Sequence, residues 1–391
     1  MRGRCGHVIS SRGAARSPII STASHQSRRE AMTIAATLDS DVTLSRLKLP
    51  RHFHRISSVA TILYLAHALA FFLIPAAVAF AIVDIPASAP VRIAMAIVLG
   101  VIGGHGMHLL TFVGHEGMHT NLHRNKYVSA ALALICSSLV PGFLIVGFSM
   151  THWKHHRFTG QDIDPDVQIY SQYRTFWSRF FLARSKGVRI YTRNAMRMAA
   201  GLPWPENTRL PFSQREMRWI SRINIALSLC AITAYGFIWH RSLWLGFTVM
   251  LIPYIGVYVF STIRAYIEHT DTVPGRYRDS RSYTSPIYTA LFFGSNFHLE
   301  HHQYPAVPCY RLPALHTYLS SHGLFEAAGA PVEPSFLGAL RYTTGRFQYP
   351  CVSLQSASDE FLERMADGRL DREAAGAEAR DDDQLVAVAR R

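Results

Sequence analysis

The sequence predicts an all-α integral membrane protein. Its plan is two transmembrane helical hairpins (about four spans) plus a re-entrant or interfacial apolar segment, capped by a helical cytoplasmic domain that carries clustered histidines. Three observations predict this. The composition is 49% hydrophobic and only 17% charged over 391 residues, apolar for a soluble chain of this size. The apolar runs long enough to cross a bilayer come in pairs joined by short polar loops. Histidine-rich stretches follow these runs: His115-Glu116-Gly117-Met118-His119, His152-Trp153-Lys154-His155-His156 and His298-Leu299-Glu300-His301-His302.

Residues 1–49 are rich in Arg and Ser, with Glu30 as the first acidic residue. A transit peptide, a disordered leader and a true start at Met32 all fit. Val59 to Val83 is a nearly unbroken apolar run of about 25 residues, enough for one span. A short loop, Asp84 to Arg92, leads to a second run from Ile93 to Val113. The flank with Arg46, Lys48, Arg51 and Arg55 is placed inside, against the single Arg92 in the loop. The second span then returns to the inside and delivers His115 and His119.

Residues 128–149 are long enough for a span, which would put His152 on the far side from His119. Pro141-Gly142 breaks the run, and a broken re-entrant segment keeps the two histidine stretches together. The many basic residues of 153–218, among them Lys154, Arg157, Arg174, Arg184 and Lys186, place that segment on the cytoplasmic side. A second hairpin follows, Ile223–Trp239 and Leu243–Ile263, joined by His240-Arg241-Ser242. Its exit leads straight into Arg264 through His269. Residues 331–391 read as a polar tail, partly disordered.

The formal charge is +14, from 40 Lys+Arg against 26 Asp+Glu. Beside long apolar runs this balance reads as membrane sidedness, and no nucleic-acid partner is expected. The five cysteines are scattered with no Cys-x-x-Cys, which fits a reduced cytosolic face.

On a helix, positions i, i+3 and i+4 share one face. The three stretches hold eight histidines, and His269 makes nine. That is too many for one ion and suits two ions of five or six coordination. His67, His105, His108, His240 and His322 read as ordinary buried or surface histidines.

The set His115-x-x-x-His119, His152-x-x-His155-His156 and His298-x-x-His301-His302 resembles the membrane fatty-acid desaturase superfamily, which also contains alkane hydroxylases and carotenoid ketolases. The likeness is detailed from Asn296 through Pro305, Pro308, Tyr310-Arg311-Leu312-Pro313 and His316, and in Thr159 to Asp164-Pro165-Asp166. It covers about residues 50–330, taken as one membrane domain.

The resemblance implies two iron ions (Fe2+/Fe3+) held by His115, His119, His152, His155, His156, His269, His298, His301 and His302, with O2 as co-substrate. His123 is a further candidate, as ligand or neighbour, and Asn296 a candidate ligand, direct or through water. Asp164, Asp166, Arg264, Glu268 and Glu300 are candidates to orient ligating imidazoles.

The implied reaction is desaturation of an acyl lipid, acyl-CoA or acyl-carrier substrate, with hydroxylase, ketolase or acetylenase activity as alternatives. The sequence has no His-Pro-Gly-Gly segment of the cytochrome b5 kind. Electrons are therefore expected from a separate ferredoxin, cytochrome b5-like protein or reductase, docked on a basic surface that includes Arg184, Lys186 and Arg189. The implied location is a bacterial inner membrane or ER-type membrane.

Two rival readings stand beside this one. His115-Glu116-x-x-His119 is also a zinc-protease motif with Glu116 as general base, but that leaves both His-x-x-His-His stretches unexplained. A metal carrier would need polar groups running across the bilayer, whereas these histidines lie at the ends of apolar runs.

Overall fold

The computed structural model describes residues 47–204 and 208–347. The expected leader up to residue 46 and the tail from residue 348 lie outside the described residues. Among the described residues, four helices are long and apolar enough to cross a membrane. The protein is all-α, and its described residues include one two-stranded parallel ladder.

The first hairpin is α1 (Ser58–Ile82) and α2 (Ala89–Met118). Ser57 caps α1 by accepting from the Ala60 amide at 3.3 Å. Large side chains such as Val59, Ile62, Leu63 and Ile74 stay exposed on its outer side, as lipid-facing positions do. Small residues set the packing. A Cβ on Gly106 would run into the Phe71–Phe72 backbone of α1. One on Gly104 would lie 3.2 Å from the Gly256 Cα of the second hairpin. Such small-residue contacts let membrane helices approach closely.

The apolar run at 128–149 is broken as its Pro141-Gly142 predicts. It forms α3 (Lys126–Ser138) and α4 (Ile145–Phe158), with Gly142 at φ +70° in the connection. Thirteen residues of α3 extend only about 20 Å, short of a core of about 30 Å. α5 (Pro165–Tyr170) and α6 (Arg184–Ala199) follow.

The second hairpin is α7 (Gln214–Arg241) and α8 (Leu243–His269). α7 starts nine residues before the apolar run at Ile223, because Ser213 and Glu216 form a reciprocal capping box. Glu216 also meets Lys126 at 3.1 Å, tying this start to that of α3. α8 continues past Ile263 to deliver His269.

The tips of the two hairpins are joined. Arg241 pairs with Asp84 at 2.9 Å, and Trp244 donates to the Arg92 carbonyl at 3.0 Å. Arg92 itself donates to the carbonyls of Val83 and Ile85 at 2.9 and 2.8 Å, groups that a helix end leaves open. The histidines lie at the opposite ends of α2 and α8.

The chain then forms β1 (Ser282–Tyr283), α9 (Pro286–Leu291), α10 (His298–Gln303) and α11 (Leu312–Ser321). Up to residue 347 the expected polar tail is packed. β2 (Val332–Glu333) pairs with β1. Arg179 donates to the carbonyls of Thr343 and Gly345 at 2.6 and 2.7 Å. Phe347 is buried against Tyr170 and Tyr266. Isolated anchors in polar sequence give no periodic signal, so this segment reads as solvated until its partners are known.

Gly147 is the tightest helix contact below the histidines, since a Cβ there would fall on the Tyr191 carbonyl oxygen of α6. Gly147→Ala should lower stability by about 1–3 kcal/mol and reduce metal content, as it displaces α4. Gly236→Ala meets nothing within 4 Å and should be neutral or stabilising by up to about 1 kcal/mol. Thermal unfolding of the two purified variants, with metal analysis, checks this; equal behaviour would contradict the packing.

Candidate metal centre

Four elements bring nine histidines together, all of them buried. α2 carries His115 in its last turn and His119 as its C-cap. α4 presents His152, His155 and His156. His269 ends α8, and α10 bears His298, His301 and His302.

Two sets result. His115, His119, His152, His156 and His301 form one group of mutually adjacent ligand atoms, and His155, His269 and His302 another, each within 4.8 Å. His298 joins the second through its Nε2, 2.9 Å from that of His269. The sets adjoin where the rings of His156 and His302 lie 4.3 Å apart.

The spacing within the first set fits a metal better than hydrogen bonding. Nε2 atoms line up as His115–His152 at 2.8 Å, His152–His156 at 2.9 Å and His156–His301 at 3.0 Å. Each Nε2 offers one in-plane site, either a lone pair or a proton. Four such atoms can make two hydrogen bonds at once, not three, so one contact is always left without a hydrogen bond. A cation accepts every lone pair. With metal–nitrogen bonds of about 2.1 Å, ligands at right angles lie about 3.0 Å apart and tetrahedral ones about 3.4 Å. The observed separations match the right-angled case, which belongs to five- or six-coordinate ions.

Protonation agrees. Burial pushes His152, His156, His298, His301 and His302 well below the ordinary imidazole value, leaving the neutral, ligating form at neutral pH. At His155 burial works the same way, but Asp164 and Asp166 outweigh it and raise the ring to about 9. Its Nδ1 faces Asp164 at 2.9 Å, so a proton held there leaves Nε2 for a metal. The Nε2 atoms of His155 and His302 are buried with no hydrogen-bond partner.

The far sides of the rings are held by the protein. Asp164 is itself fixed by the amides of Gly160 and Asp166 at 2.8 Å each. Asp166 lies 3.9 Å from His155 Nδ1. His269 Nδ1 faces the Asp279 carbonyl at 3.3 Å, and His302 Nδ1 faces the Thr159 hydroxyl at 3.2 Å. Glu268 lies 3.7 Å from His298 Nδ1 and pairs with Arg264 at 2.5 Å, the expected i, i+4 partner. Arg264 continues to Ser295, donating to its carbonyl at 2.6 Å. Glu300 faces away from the rings of its own helix toward Ser282 and His316.

Two expected candidates stand apart. His123 is half-buried and accepts from the Asn125 amide at 3.0 Å; it belongs to neither set. The Asn296 side-chain nitrogen donates to the Tyr283 carbonyl at 2.6 Å, and its Oδ1 is buried without a partner.

Sequence reasoning missed Glu116 as an orienting group. Its carboxylate lies 3.3 Å from His115 Nδ1 and accepts from the Cys309 amide at 2.9 Å and Asn121 at 3.2 Å. Asn121 also donates to the Pro305 carbonyl at 3.1 Å. This clasp joins the end of α2 to the segment after α10, and it engages the carboxylate that a protease would need as its base. A carboxylate between two histidines was the available signal; its partner lies 193 positions away. Thr159 was visible only as the start of the run that resembles the family, and the Asp279 carbonyl carried no signal.

A cleft of about 650 Å³, open solvent at its mouth included, opens onto both sets through His115, His152, His155, His269 and His298. Phe112, Phe143 and Phe148 line it.

A family model described as "Fatty acid desaturase" matches residues 88–334, a span that contains all nine histidines. A β-carotene ketolase from Paracoccus sp. (strain N81106 / MBIC 01143) is 25% identical over 215 residues, which is 53% of this chain and 74% of that protein.

His301→Ala should strip metal from the first set while the protein still inserts and purifies as a folded species. Asp164→Asn should weaken metal retention by about tenfold or more, the usual cost of losing an orienting partner. Elemental analysis after dialysis against a graded chelator reads both, and wild-type retention in His301→Ala would overturn the assignment.

Proposed function

The chain belongs to the fatty acid desaturase family, and we propose that it is a membrane di-iron desaturase that uses O2 to introduce a double bond into a fatty-acyl lipid. The observation that carries this reading is an aromatic cleft facing both histidine sets. Two irons held by the nine histidines would supply what side chains lack, activation of O2 and removal of hydrogen from an unactivated C–H bond. The protein's own residues do the rest. Phe112, Phe143 and Phe148 exclude water and align an apolar chain. Asp164, Glu116, Glu268 and the Asp279 carbonyl hold the imidazoles in place from behind.

The ketolase relative favours a second reading, oxidation of a ring carbon to a carbonyl. Both reactions begin with the same hydrogen abstraction and differ in whether a second hydrogen leaves or oxygen is inserted. Expression in a host that lacks the activity, followed by mass analysis of extracted lipids, separates them. Loss of two hydrogens from an acyl chain supports the desaturase. Gain of oxygen without unsaturation, dependent on His301, would replace it with a hydroxylase or ketolase.

The histidine end of the bundle is assigned to the cytoplasmic side, following the basic flank at Lys48, Arg51 and Arg55. Electrons arrive there from a separate acidic donor protein. Arg184 does not belong to its docking surface, because it is buried. Arg189, Arg193 and Arg197 recur every fourth residue on α6 and are all exposed, which gives a continuous basic stripe. Reversing all three to Glu should slow donor-coupled turnover by roughly tenfold at low salt while dithionite still reduces the centre at the wild-type rate. An unchanged coupled rate would remove the stripe as the docking site.

A further inference from the structure

The cleft is not apolar throughout. Beyond the three phenylalanines it is lined by Arg184, Asp166, Tyr170 and Tyr191, together with Arg264 and Glu268. Arg264 has its carboxylate, Glu268, at 2.5 Å. Asp166 lies beside His155 at 3.9 Å. Arg184 differs from both. It is only 8% exposed; it bonds Tyr170, with Tyr191 and Tyr254 nearby, and it shares the Asp166 carboxylate with His155. A guanidinium carries five donors and stays charged. The bond to Tyr170 engages one of these donors, and an oxygen that enters the cleft can accept from others. The position is also fixed, because Arg184 opens α6 directly after the π-helical turn Ser178–Ala183.

We propose that Arg184 receives the polar head of the substrate, an anionic or carbonyl oxygen, inside the same cleft that faces the two metal sets. This rests on the acyl reading of the cleft and deepens it, since it selects an amphiphile over a bare hydrocarbon. A hydrocarbon in this cleft offers Arg184 no oxygen to bond, and a site built around a polar group rejects ligands that lack its partner. Because head site and metal sites share one compact cleft, the oxidised carbon lies near the polar head rather than far along the tail. The phenols of Tyr170 and Tyr191 orient the guanidinium, and Phe112, Phe143 and Phe148 take the first methylenes.

The test is competition for radiolabelled palmitate on the purified, metal-loaded protein in amphipol. Unlabelled palmitate should displace the label, while hexadecane and β-carotene should need at least about tenfold more; this comparison requires no variant. Arg184→Met should weaken palmitate binding by about tenfold or more, and Arg184→Lys should recover part of it. Elution and metal content equal to wild type certify that these variants are folded. Displacement by hexadecane or β-carotene as readily as by palmitate would overturn the proposal, as would wild-type palmitate binding in a folded Arg184→Met.

The head site and the reaction fail separately. Acyl desaturation by Arg184→Met at the wild-type KM overturns the head site and leaves the desaturase standing. Palmitate binding that depends on Arg184, without any acyl product, supports the head site and removes the desaturase.

Discussion

The structure depends on a convergence of imidazole nitrogens that cannot satisfy one another. Four Nε2 atoms in a row at 2.8–3.0 Å permit two hydrogen bonds among three contacts. In a buried place an unmatched polar contact costs more than its absence would. The fold nonetheless assembles nine such rings from four elements, and it locks them from behind with carboxylates and carbonyls. A cluster organised this way suits a cation, which accepts every lone pair.

α10 shows how much of the chain serves that end. Six residues make a marginal helix, and α10 has no N-cap side chain of its own. Ser282 substitutes from outside, accepting from the Leu299 amide at 2.9 Å while it donates to Glu300. The approach to α10 passes through left-handed backbone at Phe293 (φ 53°) and Gly294 (φ 86°), which is strained for the phenylalanine. Tyr64 stacks on Phe293 at 5.0 Å, and Arg264 grips Ser295 next door. Behind α10, Glu116 and Asn121 hold the segment from Pro305 to Cys309. The first hairpin therefore fixes the last histidine stretch as well as its own.

Eight of the histidines were legible because their information is local: i, i+3 and i+4 spacing names a helix face before any fold is known; His269 stands alone in the sequence and was reached only through the resemblance. The break at Pro141-Gly142 was legible for the same reason, and with it the conclusion that His119 and His152 share a site. Glu116 was visible as a residue but not as a clasp, because its meaning lies in a contact with Cys309. Arg184 was misassigned to a docking surface. Counting basic residues along 153–218 measures sidedness, and it carries no information on which cation points inward. Residues 331–347 looked solvated because Phe347 and the short β2 pairing act singly, without a period.

Charge balance explains why the cluster sits where it does. Neutral imidazoles bring lone pairs but no negative charge, so any cation they hold must be compensated from further out. Two sources are present. The carboxylates of Glu116, Asp164, Asp166 and Glu268 stand behind His115, His155 and His298, close enough to act while leaving the metal-facing positions to nitrogen. In addition, α2, α4 and α8 all reach the cluster with their C-terminal ends, where helices carry partial negative charge from unpaired carbonyls. A site midway along these spans would have neither helix ends nor room for carboxylates without burying them against lipid. Placing the histidines at the last turns of the two returning spans, with the broken segment of α3 and α4 folded back beside them, supplies both and keeps the cleft at that same end of the bundle.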